Sequence, residues 1–394
     1  MHEVFVGIDI SKNFFNVSIV NRRGEEIKRF KFDMDIYHFN KLLEELNGFN
    51  KKSIIIGMES SGVYHMNLYS FLRENSFNVS LINPLIISSF TKLSLRKSKT
   101  DRKDSKEIAK YLLMVDENIN YFESNEIKYL VRERERISKE IGRIKNDIEK
   151  IIIVTFPEII KFYNIFNKTL LNLIKDYPSS NRIREASYEE IEEILNKNRR
   201  GRKSKISSKR VIELAKSSIG THSEVKERVL SFKISHLLFL MDKEKEIEEI
   251  IRRNIDGVMR RNIEIVTSIK GIGEVSAIHL LSEICDINRF SSYKKLIAYS
   301  GLDPTIYQSG NFEGRSRISK RGNRHIRRIL WIIANSVIRY NEVFKSYFIK
   351  KIDNGVPYKK AVISVCHKLI RVIYSLIKSG SYFDPNLHLV HNSL

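Results

Sequence analysis

Cysteine is nearly absent from this chain of 394 residues, which has only Cys285 and Cys366. Two cysteines cannot build a disulfide framework or a thiolate zinc cluster, and such sparse use fits a reducing compartment, so the chain reads as cytoplasmic. Long hydrophobic runs are missing too. No stretch reaches the roughly 18 uncharged apolar residues that a membrane-spanning helix needs. The first apolar stretch, Val4 to Ile10, contains Asp9 and is followed by Lys12, too short and too polar for a signal peptide. Acid is the third deficit: 47 Asp and Glu face 69 Lys and Arg, a formal net charge of +22. That imbalance makes a polyanion the first partner to consider. What is present is ordinary core material. At 42% hydrophobic residues the chain is not disordered, and its length suits two or three domains at about 150 residues each.

The positive charge is uneven. Residues 1–112 carry an excess of +5, residues 113–262 of +6 and residues 263–394 of +11. In the last third Arg315, Arg317, Lys320, Arg321, Arg324, Arg327 and Arg328 follow one another with no acid between them, and a second run, Arg199 to Arg210, interrupts the otherwise balanced middle. Such clusters mark phosphate-binding surfaces, because each neutralised phosphate releases condensed counterions. A solvated, solubilising loop is the plainer alternative.

Periodicity divides the chain in the same way. Glu3 to Ile10, Phe14 to Val20 and Glu26 to Phe32 read as an antiparallel meander. An amphipathic helix around Asp35 to Leu46, a buried strand Ser53 to Met58, a helix from about Val63 to Glu74 and a strand Val79 to Asn83 then alternate. Hairpin strands followed by β-α-β units indicate an α/β layer domain with a mixed sheet, over residues 1–124. In the middle, 125–262, Ile137, Ile141, Ile144, Ile148 and Ile151 form an a/d seam. Leu237, Leu240, Ile247, Ile251 and Val258 fit the same heptad, with Glu244 and Asn254 breaking it. The economical reading is an antiparallel pair of long helices around an insertion, or the same pair used for dimerisation. The mainly α last third, 263–394, opens on Lys270-Gly271-Ile272-Gly273 before a helical run from Val275 to Ile284. A Gly-x-Gly turn there leaves amides free at a helix N-terminus, as in helix-hairpin-helix phosphate grips, although a plain tight turn fits equally.

Four acids have addresses suited to phosphodiester chemistry, in which two divalent ions about 4 Å apart need several carboxylates to offset their repulsion. Asp9 lies inside the first strand, and Glu59 follows the buried strand at its carboxyl end, where open α/β sheets place their sites. Asp101 and Asp104, spaced i and i+3, share one helical face. Singly, either Asp equally caps a helix and Glu59 equally sits in a loop.

The set, with its surroundings, resembles a known family. Gly7-Ile8-Asp9-Ile10-Ser11-Lys12, Met58-Glu59-Ser60-Ser61-Gly62-Val63-Tyr64, Lys99-Thr100-Asp101-Arg102-Lys103-Asp104, Gly271-Ile272-Gly273, Ala298-Tyr299-Ser300-Gly301-Leu302-Asp303-Pro304, Gln308-Ser309-Gly310 and Ile318-Ser319-Lys320-Arg321-Gly322-Asn323 match, in order, the DEDD-type transposases of the insertion-sequence 110 group, RNA-guided DNA recombinases. The resemblance implies an RNase H-like N-terminal domain related to the junction resolvases, with Asp9, Glu59, Asp101 and Asp104 as ligands of Mg²⁺, two ions to a site. It also implies a nucleophilic serine at Ser309, donor and target DNA as substrates, a structured noncoding guide RNA, and a homo-oligomer in which acids and serine meet across protomers. On composition alone Ser300, Ser316 and Ser319 have similar basic surroundings, and the resemblance selects Ser309. It implies a bacterial, nucleoid-associated location. The long segment 155–223 departs from compact members and reads as an insertion.

Three rivals stay open. A Holliday-junction-type nuclease of the same fold needs the acids but no Ser309. An actin-like kinase shares a first loop resembling Val6 to Ser11 but needs a second, Asp-x-Gly-Gly-Thr-like loop that the sequence lacks. A non-catalytic nucleic-acid scaffold needs neither acids nor serine.

Overall fold

The computed structural model describes residues 2–59, 63–82, 84–91, 101–116, 126–197, 206–305, 308–309, 312–313 and 317–386. The chain divides into two compact units, one of residues 1–124, 289–291 and 304–322, the other of 125–288, 292–303 and 323–394.

The first unit is built on strands β1 (Val4–Ile10), β2 (Phe14–Asn21) and β3 (Glu26–Asp33), helix α1 (Ile36–Asn47), strand β4 (Ile54–Glu59), helix α2 (Met66–Glu74), strand β5 (Val79–Ile82), and helices α3 (Pro84–Thr91) and α4 (Asp101–Val115). The sheet order is β3-β2-β1-β4-β5. The first three strands are antiparallel neighbours, and β4 and β5 add in parallel. The mixed sheet expected from the sequence is thus present. β1 and β4 are central and covered on both faces, which explains their almost unbroken apolar runs. Val4, Val6, Ile8 and Ile10 pack with residues of α1 and α2 on one face, while Phe5 and Ile55 pack with Ile108 and Leu112 of α4 on the other. β3 is an edge strand, and exposed Lys28, Arg29 and Lys31 guard it. Asp35 is the N-cap of α1, accepting a hydrogen bond from the His38 N–H at 2.8 Å. α2 starts at Met66 rather than near Val63, because residues 63–65 form a turn.

The second unit is helical. Its long helices α5 (Glu126–Thr155) and α11 (Glu224–Arg253) enclose α6 (Pro157–Phe162), α7 (Lys168–Asp176), α8 (Ser180–Glu185), α9 (Tyr188–Asn196) and α10 (Ser208–Lys216). Arg134 pairs with Glu248, and Lys233 with Asp147, so α5 and α11 run antiparallel within one chain. Ile141, Ile144 and Ile148 are buried against a core that includes Leu230, Ile234, Leu237 and Leu240. The two breaks in the heptad have local causes. Glu244 reaches Arg134 at 3.2 Å, and Asn254 ends α11 as its C-cap, leaving Val258 exposed on the following helix. The insertion has its own share of that core, through Leu170, Leu171, Ile183, Ile191 and Val211.

The unit continues with α12 (Gly257–Thr267), α13 (Glu274–Ile284) and α14 (Tyr293–Ser300). Residues 304–322, counted with the first unit, carry four two-residue strands, β6 (Pro304–Thr305), β7 (Gln308–Ser309), β8 (Phe312–Glu313) and β9 (Arg317–Ile318), and the second unit resumes with α15 (Arg324–Tyr340), α16 (Glu342–Asp353) and α17 (Tyr358–Ser379). Among the described residues no helix is long and apolar enough to cross a membrane.

Candidate active site

Two glycines set the geometry of the acids. Gly7 of β1 lies beside Gly57 of β4, and α4 crosses above both. A Cβ at Gly7 would run into the Ser105 carbonyl oxygen and stand 2.5 Å from the Ala109 nitrogen, while one at Gly57 would stand 2.8 Å from a Leu112 methyl. With no side chains between them, helix backbone and sheet close to direct contact. The direction of α4 follows from its far end, where the Asp116 carboxylate accepts a hydrogen bond from the His2 N–H at 3.3 Å. From His2 to Gly7 the strand rises about 16 Å, and from Asp116 back to Ser105 the helix spans about 16 Å, at ~3.3 and ~1.5 Å per residue. α4 therefore runs antiparallel to β1. Its first turn, which starts at Asp101, stands at the level of Asp9.

Glu59 reaches the same place by register. Ile8 pairs with Met58 in the parallel β1–β4 ladder, so the next residues, Asp9 and Glu59, lie side by side on the face that carries Phe5, Gly7, Ile55 and Gly57. Asp9, Glu59 and Asp104 are all half-buried. As a trio they do not close to within 4.8 Å of one another. The side chain of Asp101 lies outside the described residues. Opposite Asp9 on β2 is Asn16, only 5% exposed, whose amide nitrogen has no hydrogen-bond partner among the described residues. Hard carboxylate oxygens beside a buried amide donor able to orient one of them suit a divalent cation.

Ser309 pairs with Phe312 in the β7–β8 hairpin, and its side chain lies outside the described residues, as does Arg315. Of the other cations in that cluster, Arg317, Lys320, Arg321 and Arg324 are exposed. Arg327 and Arg328 have structural duties. Arg327 donates to the Ser300 carbonyl at 3.0 Å, and Arg328 lies 2.9 Å from Glu135. Lys270 is exposed on the turn between α12 and α13, and Gly273 is the N-cap of α13. Gly271 has φ +103°, and a Cβ there would stand 3.0 Å from the Val337 Cα, so packing against α15 alone requires glycine.

Sequence reasoning missed a polar node in the helical unit. Glu135 of α5 is buried; its Oε1 meets Lys139 at 2.5 Å and Arg328 at 2.9 Å, and its Oε2 meets His325 at 2.9 Å and His279 at 3.4 Å. Burial alone would raise the Glu135 pKa, yet hydrogen bonds from Lys139 and His325 and the charge of Arg328 hold it down to about 2. Burial pushes His279 the other way, down to about 4, so its imidazole is neutral. The glutamate and the two histidines have metal-like spacing. Two cationic side chains on the same carboxylate already neutralise it, and they oppose a further cation. Next to this node Glu283 of α13, fully buried, accepts a fork from Arg132 at 2.6 and 3.0 Å and a third bond from Asn323 at 2.7 Å. Burial would raise its pKa, but Arg132, Lys128 and Asn323 together hold it below the usual carboxylate range. The available signal was spacing: Lys128, Arg132, Glu135 and Lys139 recur every three or four residues on one face of α5.

Two family models match the chain. Residues 6–157 match one described as a transposase, of the DEDD type, and residues 263–348 match one described as the transposase IS116/IS110/IS902 family. The pilin gene-inverting protein of Moraxella bovis is 23% identical over 98% of this chain and 100% of its own length. An insertion element IS116 protein of 44.8 kDa from Streptomyces clavuligerus is 20% identical over 97% of this chain and 96% of its own. The transposase for insertion sequence element IS1111A of Coxiella burnetii is 29% identical over 42% of this chain and 45% of its own. The chain is thus a DNA transposase or recombinase, an enzyme acting on DNA. It belongs to the IS110 family of transposases, whose DEDD acids imply divalent-metal use.

Proposed function

We propose that this transposase cuts and rejoins DNA to move an insertion sequence, using Asp9, Glu59, Asp101 and Asp104 to hold two Mg²⁺ ions and Ser309 as nucleophile. The observation that carries the reading is the closure of α4 onto Gly7, which brings the start of the helix over the strand end that bears Asp9 and Glu59. Mg²⁺ held by Asp9, Glu59, Asp101 and Asp104 would supply Lewis-acid stabilisation of the charge on the scissile phosphate. The rest falls to the chain's own residues. The Ser309 oxygen loses its proton and bonds to phosphorus, and the phosphorus–oxygen bond to the departing strand breaks, leaving that strand a free hydroxyl. The phosphodiester energy is kept in the serine ester, so a DNA hydroxyl can reverse the step and rejoin. Exposed Arg317, Lys320, Arg321 and Arg324, with Arg315 and Lys270 and the amides around Gly271 and Gly273, grip the phosphate backbones of donor and target DNA.

Rejoining, as opposed to hydrolysis, is supported by the full-length relatives. One is named for inverting a pilin gene and another for an insertion element, and inversion cannot be completed without resealing both strands. A structured noncoding RNA guides the choice of site, and a homo-oligomer completes the site by pairing acids of one protomer with the serine of another; both follow from the family resemblance. The test is a denaturing gel, with DNA spanning the element's junctions, RNA transcribed from beside its gene, and Mg²⁺. A covalent protein–DNA adduct that is lost in Ser309→Ala is expected. Cleaved DNA without any adduct would instead indicate a junction-type nuclease.

A further inference from the structure

The two long helices of the helical unit are equal in length, but their exposed sides differ. α11 mixes its charges, with Asp242, Glu246, Glu249 and Arg253 all exposed. Mixed signs are ordinary on the solvent side of a long helix. α5 keeps one side to a single sign. At about 100° per residue, Lys128, Arg132, Arg136, Lys139, Arg143 and Lys150 fall within an arc of about 80°, and no acid of the helix lies in that arc. From Lys128 to Lys150 the stripe runs about 33 Å, long enough to follow several successive phosphates of a duplex strand.

Burial is graded along the stripe. Lys128 and Arg132 turn into the helix packing, where they meet Glu283 at 3.7 and 2.6 Å. Lys139 shares the Glu135 Oε1 with Arg328 of α15, and both of these cations are partly exposed. Farther out the stripe opens. Arg143 is exposed, and the side chains of Arg136 and Lys150 are 74% and 76% exposed. Arg136 and Lys150 each pair with an acid of their own helix, Glu133 at 3.0 Å and Asp147 at 3.8 Å. Exposed pairs of that kind are worth under about 1 kcal/mol, so they yield readily to a phosphate. Buried glutamates thus hold one end of the stripe, and the other end faces solvent.

We propose that this acid-free face of α5, with Arg328 beside it, docks the sugar–phosphate backbone of duplex DNA, in addition to the cations around residues 315–324. The surface is carried entirely by the helical unit. Cations in a row along one helix face suit backbone phosphates, which position a duplex without reading its sequence. The proposal rests on the chain acting on DNA and is independent of which residue is the nucleophile. Its test is the salt dependence of duplex binding by the full-length protein. The triple variant Arg136→Gln, Arg143→Gln, Lys150→Gln should lower the slope of log Kd against log salt by about three, and should weaken binding about a hundredfold at ~0.1 M salt. Junction and scrambled duplexes should lose equally, and the unfolding midpoint should stay where it is. A matched triple on α11, Lys243→Gln, Lys245→Gln, Arg253→Gln, removes the same charge from exposed positions and should leave the slope unchanged. An unchanged slope in the α5 variant, or an equal loss in the α11 variant, overturns the proposal. So does a loss confined to a stem-loop RNA probe with duplex DNA binding intact.

Discussion

The two units use buried acid in opposite ways. In the α/β unit Asp9, Glu59 and Asp104 are half-buried at a strand end and a helix start, on one face of a sheet. In the helical unit Glu135 and Glu283 are buried at the centre of helix packing, and each is held by several cationic or amide donors. The first arrangement keeps carboxylates at the edge of a layer, where a cation and a phosphate can approach. The second uses carboxylates to tie helices together: Glu135 and Glu283 join α5, α13 and α15.

The sharpest break of this comparison comes from neutralising one acid of each kind. Asp9→Asn or Glu59→Gln should lower metal-dependent cleavage by about a thousandfold while leaving DNA binding and unfolding almost unchanged, a loss typical of deleting transition-state stabilisation. Gly7→Ala attacks the same site through the fold. Its methyl group collides with helix backbone, so the first unit should lose about 3 kcal/mol in urea unfolding, and cleavage should fall with it. Glu135→Leu should do the reverse of Asp9→Asn, costing on the order of 2 kcal/mol of stability by leaving Arg328 and His325 without their shared acceptor.

The two units also separate by pH. His279 is depressed to about 4 in the folded chain against 6.5 for a free imidazole. Between those values the unfolded chain binds the proton and the folded one does not, so stability is complete above about pH 6.5 and falls as the pH drops toward 4. Unfolding midpoints of the helical unit should follow this trend, and His279→Phe should flatten it. Glu135, held to about 2, adds a further loss only below about pH 4.5. The smallest effect is expected from Lys139→Met. Lys139 is half-exposed, and its removal should cost under about 1 kcal/mol.

Much of the α/β unit was legible because its signals are local. Strand alternation, the amphipathic pattern from Asp35 to Leu46 and the i, i+3 spacing of Asp101 and Asp104 each need only a few neighbouring residues. The addresses of Asp9 and Glu59 were legible for the same reason, since both follow from position along a strand. The role of Gly7 was not, because it depends on a helix almost a hundred residues away. Glu135 and Glu283 escaped entirely, as their partners come from three helices and look, in sequence, like ordinary surface charge. The heptad reading of α5 and α11 anticipated the antiparallel pair but left open whether it formed within a chain. The cross-helix ion pairs answer that, and Asn254 shows that one apparent defect in the pattern was a helix end.

The most direct test of the central claim is peptide mapping by mass spectrometry of the protein–DNA adduct trapped with Mg²⁺, junction DNA and the adjacent RNA. A nucleotide remnant on Ser309, absent from Asp9→Asn protein, is the expected result. A remnant on another residue, or an equal yield from Asp9→Asn protein, would contradict it.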